Sequence, residues 1–267
     1  MSFARQPSDG DGSQGVALLG LGEAGSALAA DLVAQGVRVW GWDPDPSRSV
    51  AGVEPLQEPA DVAVAEIVLS VNSPSAALDA ARDASQAMTA GHVYVDANTA
   101  SARLKREVAA EIEPSGAAFV DAALLDPVPA GGIRTRCLAS GPGADRFAEA
   151  FRAWGMPVQT LGGLPGDAAT RKLLRSIVMK GLAAAVLESL SAARAAGCEE
   201  WMRGEIEALL DGADARLLDR LIIGSFTHAE RRVGEMQAAA SMEAELGVEP
   251  YVALAAAAVL RELSGSP

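Results

Sequence analysis

Apolar and polar positions follow two different rhythms along this chain. Up to about residue 161, short apolar runs alternate with stretches of helical spacing. Residues 16–19 (VALL), 37–42 (VRVWGW), 66–71 (EIVLSV), 92–96 (HVYVD), 117–121 and 136–140 read as strands, with 157–161 as a last edge strand. Residues 26–35, 75–88 and 101–112 read as helices, the second with Pro74 at its start. Strands alternating with helices predict a parallel sheet wrapped by helices, a doubly wound α/β fold. Gly162-Gly163-Leu164-Pro165-Gly166 is the strongest internal breaker, and from 167 to 262 only helical periodicity continues. The division that follows is a polar tail over 1–15 that reads as disordered, a sheet domain over 16–163 and an all-α domain over 164–267.

The first strand runs into Gly20-Leu21-Gly22-Glu23-Ala24-Gly25, and a helix follows. Strand, G-x-G-x-x-G, helix is the Rossmann arrangement that seats a dinucleotide pyrophosphate, so these six residues are the expected cofactor cradle. Gly20 permits the sharp turn, Gly22 the close approach of phosphate, and Gly25 the packing of helix on strand. The helix N-terminus offers free N–H groups and the positive end of its dipole. The second strand ends at Asp43, 18 positions past Gly25, where an acid accepts hydrogen bonds from the adenosine ribose. Asp43 favours NAD, because a carboxylate repels a 2′-phosphate. Arg48, just downstream, keeps NADP open.

The chain has 267 residues, 49% of them hydrophobic, enough for two domains with sizeable cores. Its net charge of −13 argues against nucleic acid or an anionic membrane as a partner. Cys137 and Cys198 lack motif spacing and only His92 and His228 are histidines, so no metal site is expected. No apolar run of ~18 residues is free of charge or glycine, so no membrane span is expected. The first residues carry no apolar signal core. These features suit a cytoplasmic protein with reduced thiols.

The helix predicted over 167–196 is long. Leu173, Leu174, Ile177, Val178, Gly181 and Ala185 share one apolar arc, while Lys172, Ser176 and Lys180 stand four apart on a stripe away from it. Lys172 lies near the domain boundary, where enzyme pockets concentrate, and is the catalytic candidate. A lysine beside a ketone or alcohol oxygen gives or takes a proton. From spacing alone, a surface lysine is the plainer reading. Lys180 either meets the same cleft or reaches to water.

Asn98 and Thr99, after the strand at 92–96, border a nicotinamide as readily as they form a turn and helix cap. Asn72 is a similar case, with capping slightly ahead. Residues 119–132 read as a long loop with acids Asp121 and Asp126, either covering substrate or simply connecting elements. Residues 227–236 read as a helix capped by Ser225 or Thr227. His228, Arg231, Arg232 and Glu235 fall on one arc of it. His228 and Arg232 can clamp a substrate anion, although an exposed face laced by ion pairs is the plainer account.

Taken together, these pieces resemble the β-hydroxyacid dehydrogenase and 6-phosphogluconate dehydrogenase superfamily. LLGLGEAGSALAADLVAQG is similar to its G-L-G-x-M-G-x-x-M-A-x-x-L-x-x-x-G, DANTAS to its D-x-S-T-x-S-P nicotinamide segment, and GDAATRKLLRS to its G-x-G-x-x-x-K-x-x-N helix. FVDAALLDPVPAGG, RCLASGPGA, RKLLRSIVMKGL and HAERRVGEM are closer to a branch that pairs this cofactor domain with a short helical C-terminal domain of poorly defined function. Two substrate contacts depart from the family pattern. Leu125 holds the place of the serine that grips the substrate carboxylate, and Ser176 holds the place of the asparagine four after the lysine.

The resemblance implies an NAD(P)-dependent oxidoreductase. A hydride would pass between nicotinamide and a small hydroxy acid or ketone in an interdomain cleft, with Lys172 as catalytic lysine. Asp121, Ser176, Lys180, His228 and Arg232 are the substrate-side candidates. An imine reductase on the same fold, and a non-catalytic NAD(P)-binding regulatory protein, are the alternatives. The family's habit of pairing subunits through its C-terminal helices implies a homodimer.

Overall fold

The computed structural model describes residues 15–265. The tail expected before Gly15 lies outside the described residues, as do the last two positions; Gly15 itself opens the first strand. Eight strands form one sheet in the order β3-β2-β1-β4-β5-β6-β7-β8. They are β1 Gly15–Leu19, β2 Arg38–Trp42, β3 Val53–Pro55, β4 Ile67–Ser70, β5 Val93–Asp96, β6 Ala118–Leu124, β7 Cys137–Ser140 and β8 Val158–Thr160. The helices between them are α1 Glu23–Ala34, α2 Ala77–Ser85, α3 Ala102–Ile112, the single turn α4 Val128–Gly131, and α5 Ala144–Ala153. The run β3-β2-β1-β4-β5-β6 is the Rossmann order, and the fold is a doubly wound sheet followed by an all-α region.

The central strands are buried on both faces, which is why they read as continuous apolar runs. One core layer packs Leu28, Leu32, Phe147 and Phe151 against the sheet, and the other packs Val62, Ala81, Val108 and Ile112. The alternation predicts a wholly parallel sheet, and the observed sheet departs from that at one strand. β7 runs antiparallel to β6, because only a short connection with a single α turn and a 3-10 turn joins them and no crossover helix intervenes. Residues 119–124 therefore belong to a buried strand, and the loop expected over 119–132 is confined to the chain after it.

The chain divides into two compact units, one ending at Arg175 and the other beginning at Ser176. The second consists of the remainder of α6 (Asp167–Ala195) with α7 Glu199–Asp211, α8 Ala215–Thr227, α9 Ala229–Glu245 and α10 Tyr251–Ser264. Within it the Glu188 carboxylate accepts the backbone N–H groups of Val252 and Ala253, capping α10 from a distant helix. The helix predicted from 227 begins at Ala229 instead. Ser225 and Thr227 return their hydroxyls to the carbonyls of Leu221 and Ile223, closing α8 rather than opening α9. Among the described residues no helix is long and apolar enough to cross a membrane.

Candidate active site

At the carboxyl end of β1 the chain turns at Gly20, whose φ of +108° excludes ordinary side chains. A Cβ on Gly25 would collide with the Gly20 carbonyl oxygen, so the start of α1 lies directly on that turn. Leu21 is pinned on both sides. Its N–H donates to Asp43 Oδ2 at 2.7 Å, and its carbonyl accepts from Ser26 Oγ at 2.7 Å. Leu21 thus anchors the acid and buries its side chain rather than offering its amide outward. Gly22 caps α1 with extended backbone, and the nearest neighbour of a Cβ there would be Arg48 Nη1, 3.2 Å away. The first turn of α1 leaves its leading N–H groups without intrahelical partners.

A cavity of about 700 Å³ opens over this turn, between the ends of β1 and β4, where the strand order reverses. Gly20, Gly22, Ala24, Asp43, Arg48 and Asn72 are among its lining residues, as is Glu23. In open α/β sheets ligands bind at this switch point. Asn72 also contributes a buried Oδ1 with no hydrogen-bond partner among the described residues. Exposed amides at a helix N-terminus, a glycine that leaves the approach beside Arg48 free of a side chain, and an unmatched buried acceptor fit a dinucleotide. Asp43 lies nearly buried under the rim, its side chain 4% exposed. Its second oxygen accepts from the Asp45 N–H at 2.9 Å, and Arg48 Nη1 lies 3.4 Å from its Oδ2.

Further along the strand ends, Asn98 is buried and its polar groups are engaged. Its Oδ1 accepts the Asn72 N–H at 2.6 Å, and its Nδ2 donates to Asp96 Oδ1 at 2.6 Å and Ser70 Oγ at 3.1 Å. Asn98 therefore braces the floor of the site, while the exposed Thr99 presents its hydroxyl. Lys172 Nζ donates to Thr99 Oγ1 at 2.7 Å. Two residues 73 positions apart, one expected to border a nicotinamide and the other expected as the catalytic lysine, are brought into contact. Ser101 caps α3 through the Leu104 N–H, so the capping and site readings of this turn fall on different residues.

The remaining candidates are placed differently. Asp121 is fully buried in β6, not on a substrate loop. Its Oδ2 accepts from the N–H groups of Gly166 and Ala169 at 3.0 and 2.9 Å, and from Ser140 Oγ at 3.3 Å. Ser176 and the exposed Lys180 follow Lys172 on α6, within the second unit. His228 and Arg232 also belong to that unit. Arg232 Nη1 donates to Ser225 Oγ at 2.9 Å, its guanidinium lying over Gly224, and Arg231 pairs with Glu235. An ion-paired helix face accounts for much of that cluster. Arg175 is an addition: it donates to the Leu125 carbonyl at 2.7 Å and lies 3.5 Å from Asp126, tying α6 to the chain after β6.

Sequence reasoning missed the buried Lys105, which lies between Asp96 and Asp121. The signal was available: Lys105, Val108 and Ile112 share the one buried face of α3, and a charge in that stripe needs partners. Burial, opposed by a backbone hydrogen bond, pushes the Cys137 thiol up to about 12, which keeps it inert.

Comparison with known proteins agrees with this architecture. The family model for the NAD binding domain of 6-phosphogluconate dehydrogenase matches residues 15–132, and that for the DUF1932 domain, of unknown function, matches residues 193–263. A conserved protein of unknown function, described as structurally similar to 3-hydroxyacid dehydrogenases, is 31% identical over 93% of this chain and 97% of that one, with a TM-score of 0.61. An imine reductase from Myxococcus stipitatus in complex with NADP+ has the same fold (TM-score 0.79, 21% identity, 93% of each chain). A 28.5 kDa protein of Methanothermus fervidus is 29% identical over 171 residues, and the match spans 64% of this chain and 65% of that relative. The chain belongs to the family that joins a 6-phosphogluconate dehydrogenase-type NAD-binding domain to a C-terminal DUF1932 domain.

Proposed function

We propose that this protein is an NAD(P)-dependent oxidoreductase acting on a small hydroxy acid or ketone, with Lys172 as its proton-transfer group. The observation that carries the reading is the Lys172–Thr99 contact at the carboxyl end of β5, on the same sheet rim as the cavity over the glycine turn. The bound cofactor would exchange a hydride at nicotinamide C4 with the substrate carbon. Gly22 and the opening amides of α1 would hold the pyrophosphate, and Asp43 the adenosine ribose. Asn72, Asn98 and Thr99 would border the nicotinamide side. In the oxidative direction Lys172 takes the hydroxyl proton as the C–H hydride leaves; in reduction it returns that proton to the oxygen. Asp43 favours NAD over NADP, and Arg48 at the same rim tempers that preference.

A second copy of the chain is the partner this reading requires. Ile177, Leu187, Trp201, Leu218, Ile223 and Phe226 of α6, α7 and α8 are each more than half exposed, an outward set of large apolar side chains of the kind that marks a protein–protein contact. Such a surface is what an obligate homodimer covers.

The test is Lys172→Ala assayed on hydroxy acids, ketones and cyclic imines with either cofactor. Loss of one general acid–base group lowers alcohol or ketone turnover by roughly 10²–10⁴-fold, with cofactor affinity unchanged. Turnover of imines alone, indifferent to the substitution, points to the imine reductase chemistry of the structural neighbours. Tight cofactor binding with no turnover on the whole panel points to a regulatory binder.

A further inference from the structure

The buried charges at the strand ends form a connected set. Asp96 on β5 and Asp121 on β6 are register partners, and both are fully buried. Lys105, 1% exposed, reaches between them from α3. Its Nζ donates to the Asp96 carbonyl at 2.7 Å and lies 3.2 Å from Asp96 Oδ2 and 3.4 Å from Asp121 Oδ1. Two neighbouring buried carboxylates do not both stay ionised without a cation. Each acid uses its other oxygen as a clamp. Asp96 Oδ1 holds Asn98 through its backbone N–H and its Nδ2, fixing the turn that carries Thr99. Asp121 Oδ2 holds the N–H groups of Gly166 and Ala169, fixing the first turn of the helix that carries Lys172.

We propose that Lys105 is a positioning residue. By holding its Nζ between the two strand-end carboxylates, it sets the Thr99 turn and the start of α6 at the spacing that brings Lys172 Nζ onto Thr99 Oγ1. The proposal deepens the oxidoreductase reading and rests on it for its functional meaning, although the positioning itself needs no cofactor. Lys105 touches neither Thr99 nor Lys172 in the described contacts; its effect passes through Asp96 and Asp121. Removing it leaves the two register-paired carboxyl groups facing each other with no basic group between them, so each shifts off the amides it grips.

The experiment uses the full chain with Lys105→Met, and lysines are labelled by trace acetic anhydride and quantified by mass spectrometry. Lys180, exposed on the same helix, is the internal reference. Release of Lys172 from Thr99 raises the Lys172-to-Lys180 labelling ratio by about tenfold, the weight of one charge-assisted hydrogen bond. A purely structural role lowers the melting temperature but leaves that ratio within about twofold of wild type, the scatter of uncoupled sites; that result overturns the proposal. If Lys105→Met does not fold, Asp121→Asn is read in the same way, since it keeps the shape and removes the charge that Lys105 balances. A raised ratio supports the proposal and an unchanged one overturns it. Titration of wild type with NADH and NADPH separates the two claims. Failure to bind either removes the oxidoreductase reading, while the labelling ratio still decides the role of Lys105.

Discussion

The two units treat apolar side chains in opposite ways. In the unit ending at Arg175, the strand residues Val16, Leu18, Val68, Val93 and Val95 are wholly buried, and among the described residues before α6 only Val64 and Leu164 stand out as exposed large hydrophobics. In the unit from Ser176, Ile177 is 70% exposed, Leu187 66% and Trp201 64%, while much of what is buried is alanine: Ala192, Ala193, Ala240, Ala253 and Ala257. A sheet with helices on both faces completes its own core. A set of helices joined by small side chains packs closely but leaves its larger apolar groups facing outward. In the proposed reading the first unit binds through backbone amides and buried polar braces, and the second is covered by another copy of the chain.

The strongest way to break that contrast is to make the uncovered face polar. Ile177→Asp combined with Ile223→Asp removes two apolar anchors worth about 1.5–3 kcal/mol each when buried. The dimer dissociation constant rises at least about 100-fold, read by analytical ultracentrifugation, while NADH binding persists. A dimer unaffected by both changes would place the contact elsewhere. Within the first unit, Asp43→Ser removes a carboxylate that holds the Leu21 amide at the cavity rim. It shifts the NADP-to-NAD affinity ratio toward NADP by about tenfold, or ~1.4 kcal/mol, measured by paired fluorescence titrations. An unaltered ratio denies Asp43 its role in discrimination.

The smallest effect concerns Glu243, a buried acid of the second unit whose Oε2 has no partner among the described residues. Burial, reinforced by the nearby Glu188, raises its pKa. A carboxyl whose folded pKa is raised binds its proton more tightly in the native state, so it costs stability once pH climbs above the unfolded value of ~4.3. Glu243→Gln raises the melting temperature by a few degrees at pH 8, on the scale of ~1 kcal/mol. The gain vanishes near pH 4. A gain independent of pH would trace to packing instead.

The contrast also marks what was legible in the sequence. The glycine turn, Asp43 and strands 16–19, 37–42, 66–71 and 92–96 were readable because backbone conformation and two-sided burial leave local signatures. Helix α5 carries its own, with Ala144, Phe147, Ala148 and Phe151 buried on one face, yet the reading passed over it. The direction of β7 was not readable, since a Pro- and Gly-rich connection does not announce whether the chain crosses over or turns back. Asp121 looked like a loop acid because its partners, Gly166, Ala169 and Lys105, are remote in sequence. The arc of Leu174, Ile177 and Val178 was visible, but periodicity records that a face is apolar, not what lies against it.

The central claim is that a pyridine dinucleotide sits on the turn between β1 and α1. Calorimetric titration of wild type and Gly22→Val with NADH and NADPH tests it most directly. The backbone at Gly22 is ordinary extended chain, and a side chain there points toward Arg48 at the cavity rather than into the core, so the variant folds. One saturable site per chain in wild type, lost in Gly22→Val at unchanged melting temperature, is the expected result. Equal binding by both proteins, or none by wild type, contradicts the account.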